Sequence, residues 1–197
     1  MSTIENYHRD IIQDTKKHII EIARDLFSEF SYLGVSMDDI AKKLNITKAA
    51  LYYHFTGKEE LYMEVLDEVI RDLSLSIEKV SNEKTASKKL HKLIKSYLDF
   101  GYKEKNLIKV LIIKFPFSNS RMMKYLLLVR EEISNLIETE IKKIFAENNL
   151  HEKINSHTAA FLLTSLMDGL LLDYSFLNKK IDSKIVSNQI VEILFKK

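Results

Sequence analysis

Between Asp39 and Glu59 the chain carries Lys42, Lys43, Lys48 and Lys58 and no acid, and within that window runs Thr47-Lys48-Ala49-Ala50-Leu51-Tyr52-Tyr53-His54. Ammonium groups gathered on one short stretch are what contact with phosphates needs, whatever the charge of the whole chain. Two alanines followed by two tyrosines add a second kind of chemistry. Residues on a helix advance by about 100°, so with Leu51 turned inward Ala49 and Tyr53 fall on the opposite side, flanked by Ala50 and Tyr52. Such a face is low at its start and offers methyl groups to thymine. Its far end carries hydroxyls for phosphates or base edges, which suits close approach to a DNA major groove. The residues alone leave alternatives open: four lysines also describe a solvated face, and two tyrosines also describe a helical hairpin anchored on a neighbour.

Residues placed for that work need short helices on a longer support. Ile19, Ala23, Leu26, Phe27 and Phe30 recur at helical spacing and predict a first helix over about Asp14–Leu33, with Gly34 as its C-terminal signal. Ser36 and Asp39 form a capping-box pattern before a two-turn helix whose inner face is Met37, Ile40, Ala41 and Leu44. Asn45 suits the left-handed conformation of a tight turn. Thr47 caps a third helix ending near His54 or Phe55, and Thr56-Gly57-Lys58-Glu59 reads as a second capping box opening a long fourth helix. Further helices are predicted over about Ala86–Lys103, Asn106–Lys114, Asn119–Asn148, Ser156–Leu177 and Ser183–Phe195, interrupted strongly only at Pro116.

With four glycines, one proline and 46% hydrophobic residues, the 197-residue chain is expected to be all-α, with about nine helices and a sizeable core. An N-terminal three-helix helix-turn-helix DNA-binding domain is expected over 1–60, its motif at about 37–56, and a larger helical ligand-binding and dimerisation domain over 61–197. Enzyme classes find no support. His8, His18, His54, His91, His151 and His157 lack metal-ligand spacing, and HExxH, GxSxG, P-loop and GxGxxG patterns do not occur. No catalytic residue, metal or cofactor is therefore expected. With no cysteine, no leader-like segment and no run of about eighteen apolar residues, a cytoplasmic protein without membrane contact is expected.

The stretch GVSMDDIAKKLNITKAALYYHFTGKEELY resembles the DNA-binding signature of the TetR/AcrR family of transcriptional regulators. Ser36, Asp39-Ile40-Ala41, Ile46-Thr47-Lys48, Leu51 to Phe55 and Lys58-Glu59-Glu60-Leu61 carry the match, and Ala49 stands where glycine is frequent. Beyond this segment the chain resembles the family only in length and helix order. The resemblance implies DNA contacts at Thr47, Lys48, Ala49, Tyr52, Tyr53 and His54. It adds a phosphate near Ser36 at a helix N-terminus, and another at Lys58. The fourth helix would transmit ligand state.

The same resemblance implies a homodimeric repressor, released from a palindromic operator by a small lipophilic effector. Tyr97, Phe100, Phe115, Phe117, Met122, Met123, Tyr125 and Met167 are candidates for its pocket, although a stripe of this kind also describes plain core. The segment Ser156–Leu177 is apolar nearly all round, so it has to be buried on two sides. Ser165 and Gly169, four apart, would let a helix of a second subunit come close; the alternative is the central core helix of a monomer. A dimeric helical ligand-binding or interaction protein that binds no operator is the reading from a different class.

Overall fold

The structure is a computed structural model and describes residues 3–112, 120–147, 155–179 and 181–195. These form nine α-helices: α1 (Thr3–Phe30), α2 (Met37–Leu44), α3 (Lys48–His54), α4 (Lys58–Glu78), α5 (Ala86–Lys103), α6 (Lys105–Ile112), α7 (Ser120–Ala146), α8 (Ser156–Leu177) and α9 (Ser183–Phe195). A short 3-10 turn, Lys79–Asn82, follows α4, and no strand occurs among the described residues. The chain divides into two compact units, Met1–Glu68 and Val69–Lys197, and α4 has residues in both.

In the first unit the apolar stripe of α1 (Ile19, Ala23, Phe27) is buried together with Ile40 of α2, Leu51 of α3, and Leu61 and Tyr62 of α4. Full burial of each large apolar side chain stabilises by about 1.5–3 kcal/mol, which explains how such short helices hold their places. The Tyr62 ring meets Phe27 edge-on at 4.9 Å and Tyr32 at 4.7 Å between centroids. The end of α1 differs from the expectation. The left-handed residue is Ser31 (φ 65), and no glycine has positive φ. Gly34 is needed for another reason: a Cβ there would lie 2.2 Å from the Phe30 carbonyl oxygen. The start of α4 differs as well. Because α4 begins at Lys58, Glu60 and not Glu59 occupies its third position, and the Glu60 carboxylate accepts from the Thr56 N–H at 2.7 Å and hydroxyl at 2.5 Å.

In the second unit α5 packs on α9 and α8, while α6 and α7 pack on α8 and on each other. Leu90, Leu93, Ile94, Tyr97 and Leu98 form the buried face of α5. At Gly101 that helix comes so close to α8 that a Cβ would lie 2.4 Å from Leu171 Cδ1. Ser183 of α9 donates to Asp99 at 2.6 Å, and Ser187 meets His91 Nδ1 at 2.9 Å, tying α9 to α5. Helix α8 buries Ala159, Ala160, Leu163, Thr164, Met167, Asp168 and Leu171 and turns Phe161, Leu162, Ser165, Leu166 and Gly169 outward. By length and composition α8 would pass for a membrane-crossing segment, with a mean hydropathy of 1.4 over its apolar window. That corrects the expectation that no such run exists, although the packed face of α8 carries Asp168.

Candidate nucleic-acid interface and effector pocket

The geometry of the first site begins at the N-cap of α2. Ser36 is extended (φ −110, ψ 163); its Oγ accepts from the Asp39 N–H at 3.2 Å, and its own N–H donates to Asp39 Oδ2 at 2.9 Å. The Ser36 hydroxyl, which donates to Asp39 Oδ2, and then the Ser36 N–H draw the Asp39 carboxyl below the usual carboxylate range. Asn45 then turns the chain in the left-handed region (φ 56, ψ 40), and the Ile46 N–H donates back to the Ala41 carbonyl at 3.0 Å. This closes α2 and sets the entry to α3. Thr47 caps α3 by accepting from the Ala50 N–H at 3.1 Å.

With Leu51 and Phe55 fully buried, the rest of α3 has no choice of face. Thr47, Lys48, Ala49, Ala50, Tyr52 and Tyr53 are exposed, Tyr53 at 74%, and His54 is half-buried with its ring edge-on to Tyr53 at 5.2 Å. Thr47, Lys48, Ala49, Tyr52 and Tyr53 therefore lie together on one accessible strip, with His54 at its end. Lys48 has a partner that no sequence pattern indicated: its Nζ is 2.9 Å from Asp38 Oδ1, and this hydrogen bond raises the lysine pKa.

Lys58 stands apart from that strip. Its Nζ donates to the carbonyls of Tyr32 and Val35, both at 3.0 Å, and sits 4.2 Å from the centre of the Tyr32 ring. Partial burial pulls its pKa down. The ammonium therefore braces the connection between α1 and α2, with a third N–H in reserve. Ser36 is similar, since its hydroxyl is engaged by Asp39 at 2.5 Å. A phosphate near the start of α2 would meet backbone N–H groups.

In the second unit a cavity of about 100 Å³ lies between α6 and α7, walled by Val110, Leu111, Ile112, Met123, Leu126 and the guanidinium-bearing Arg130. Met123 is the pocket candidate that lines it. Met122 and Met167 are fully buried core, and Phe100 and Tyr125 are partly exposed. Phe115 and Phe117 lie outside the described residues. Tyr97 is buried, and its hydroxyl donates to Asp168 Oδ1 at 2.6 Å; Arg130 Nη2 is paired with Asp168 Oδ2, and Nη1 is 3.4 Å from the Tyr97 hydroxyl. Burial raises the Tyr97 pKa. Burial also raises that of Asp168, opposed by the Arg130 charge.

Arg130 and Asp168 carry no expectation from the sequence reading. A signal existed for Asp168: it falls in register with Leu163, Met167 and Leu171, on the inward face of an otherwise apolar helix. Nothing local marks Arg130 as its partner, 38 residues away. Among the described residues no group of three or more metal-ligating side chains is assembled.

Residues 19–65 match the family described as bacterial regulatory proteins, tetR family. Over 52 residues the chain is 50% identical to the biofilm operon icaADBC HTH-type negative transcriptional regulator IcaR of Staphylococcus epidermidis. That stretch is 26% of this chain and 28% of the regulator, so the match spans little more than a quarter of the relative's length. Across most of the chain the similarity is one of fold. The FadR transcriptional regulator of Bacillus subtilis, solved in complex with stearoyl-CoA, has a TM-score of 0.73 at 19% identity, covering 90% of this chain and 96% of its own. AibR, solved with isovaleryl coenzyme A and operator DNA, has a TM-score of 0.67 at 17% identity, covering 91% and 97%.

Proposed function

We propose that this chain, whose N-terminal unit matches the tetR family of bacterial regulatory proteins, is a homodimeric, cytoplasmic repressor that leaves a palindromic operator when a small acyl-type effector binds its C-terminal unit. One observation carries the DNA-binding part. Leu51 is buried while Thr47, Lys48, Ala49, Tyr52 and Tyr53 share the exposed strip of a capped, seven-residue helix. That strip has one cation, Lys48, and hydroxyls for phosphates, and small methyl-bearing residues for base edges. Ser36 and Lys58 support it from either end, chiefly by fixing the connections around α2. No arginine lies in α3, so half-sites relatively rich in A·T are expected, their centres about one helical turn, roughly 34–36 Å, or a multiple of it apart.

The dimer is supported by α8, where Phe161 is 67% exposed and Leu162 53%, on a stripe that continues through Ser165, Leu166 and Gly169. A contiguous apolar stripe of this kind is unusual on the free surface of a protein. The acyl-type effector is supported by the apolar cavity walls and by the two fold neighbours solved with coenzyme A thioesters.

Gel shifts with genomic fragments test the reading. A bound fragment containing a palindrome is expected, with affinity falling steeply as salt rises. Binding no tighter than to random DNA would overturn it. Gly169→Arg should yield monomers by light scattering and abolish operator binding; an intact dimer would refute the interface.

A further inference from the structure

We propose that Arg130 and Asp168 together select the head of the effector: Arg130 receives a neutral acyl carbonyl, as in a thioester, on a short apolar chain seated between α6 and α7, and Asp168 turns away the corresponding free acid. This rests on the effector part of the preceding reading and adds the chemical class.

Among the described residues, the side chains that line the cavity are apolar except that of Arg130. The cavity volume of about 100 Å³ is below the roughly 150 Å³ that accommodates benzene in an engineered apolar cavity. The space therefore suits a chain of a few carbons. A guanidinium has five N–H donors. Its contacts with Tyr97 and with the two Asp168 oxygens use at most three. Among the described residues, two donors therefore remain for a ligand at that wall.

The cluster is also hard to explain as a device for stability. Apolar side chains of similar volume commonly join helices as well as a buried ion pair does. Here α5, α7 and α8 are joined by Tyr97, Arg130 and Asp168, and of these Arg130 also lines the cavity. The sign of the charges then determines which head group is accepted. Asp168 already balances Arg130, so a neutral carbonyl can accept from the remaining donors without repulsion. A ligand carboxylate would lie close to the Asp168 carboxylate at a low-dielectric site, and like charges so placed are costly.

The test uses two probes that differ in the head alone: isovalerate and the neutral thioester S-isovaleryl-N-acetylcysteamine, which lacks the phosphates of coenzyme A. Calorimetric titration of the full chain without DNA is expected to show the thioester binding at least tenfold more tightly than the acid. Arg130→Gln combined with Asp168→Asn, which keeps hydrogen-bonding groups and removes both charges, should weaken the thioester by about tenfold or more. Asp168→Asn alone should bring the acid to within a few-fold of the thioester, because the repelling charge is gone. Circular dichroism melts confirm that each variant is folded, and the direction of the preference reports on the site irrespective of stability. Wild-type protein that prefers the acid, binds neither probe, or retains its preference in Asp168→Asn would overturn the proposal. If thioester selectivity is found but no genomic fragment is bound, the operator reading fails and this one stands.

Discussion

Two aspartate ion pairs, one in each unit, use nearly the same chemistry in opposite settings. Lys48 and Asp38 meet at 2.9 Å with both side chains more than half exposed. Arg130 and Asp168 meet on packed helices, with the Asp168 side chain 9% exposed and Tyr97 as a third member. The difference lies in what can replace a partner. Water and salt compete for the first pair, so its lysine can exchange Asp38 for a phosphate at little cost. The second pair has far less water to fall back on, its Arg130 side chain being 27% exposed and its Asp168 side chain 9%, and losing one member strands a largely buried charge. The cationic partner of an aspartate is therefore exchangeable in one unit and fixed in the other.

The comparison breaks most visibly at Asp168. Asp168→Ala should destabilise the protein by about 3–5 kcal/mol in urea unfolding, because Arg130 is left buried without its counter-ion. Asp38→Ala should leave the unfolding midpoint where it is. Similar midpoints for the two variants would erase the distinction.

A second variant separates the polar bridge from the tight packing beside it. Gly101→Ala would press a methyl group into Leu171, and a destabilisation of about 1–3 kcal/mol is expected from overpacking. No change would mean that Leu171 moves aside and that the polar cluster alone holds α5 to α8.

In the first unit the corresponding weak point is the backbone. Asn45→Ala should lower stability by about 1 kcal/mol, since alanine lacks the local hydrogen bonding that makes the left-handed region tolerable. Asn45→Gly should be nearly silent. Equal losses for both would point to the asparagine side chain and away from the backbone.

The smallest effect sharpens the exposed pair. Asp38→Asn frees Lys48 and removes a negative charge beside the proposed DNA face. Fluorescence anisotropy should show binding roughly two- to fivefold tighter at low salt, with the gain shrinking as salt rises. Weaker binding would mean that Asp38 positions Lys48 usefully.

Local signals made much of this legible beforehand. The limits of α5, α8 and α9 follow from periodicity and capping, and the fixed inward position of Leu51 delivers the whole α3 strip. What escaped depends on distance along the chain. The resemblance implies a phosphate at Lys58, but nothing in its neighbourhood announces that the Tyr32 and Val35 carbonyls, more than twenty residues earlier, converge on it. Asp38 and Lys48 are ten residues apart, across a left-handed turn whose hand decides whether they meet. Tyr97, Arg130 and Asp168 come from three helices whose packing angles no local pattern encodes. Gly34 shows a subtler gap: the need for glycine was readable, yet its cause is a carbonyl oxygen and not a dihedral.

The four glycines also sort into two kinds that a mutational tolerance map can separate. At positions 34 and 101 a side chain collides within the chain itself, whereas at 57 and 169 the space is open to 4 Å. In an isolated protomer Gly169→Ala should even be beneficial, because alanine is favoured over glycine inside a helix by about 1 kcal/mol. Intolerance at 169 therefore has no source within one molecule. If a library of variants selected for operator occupancy in cells rejects substitutions at 169 while accepting them at 57, the missing obstacle must belong to another polypeptide. Growth counts would then register a second subunit with no measurement of mass.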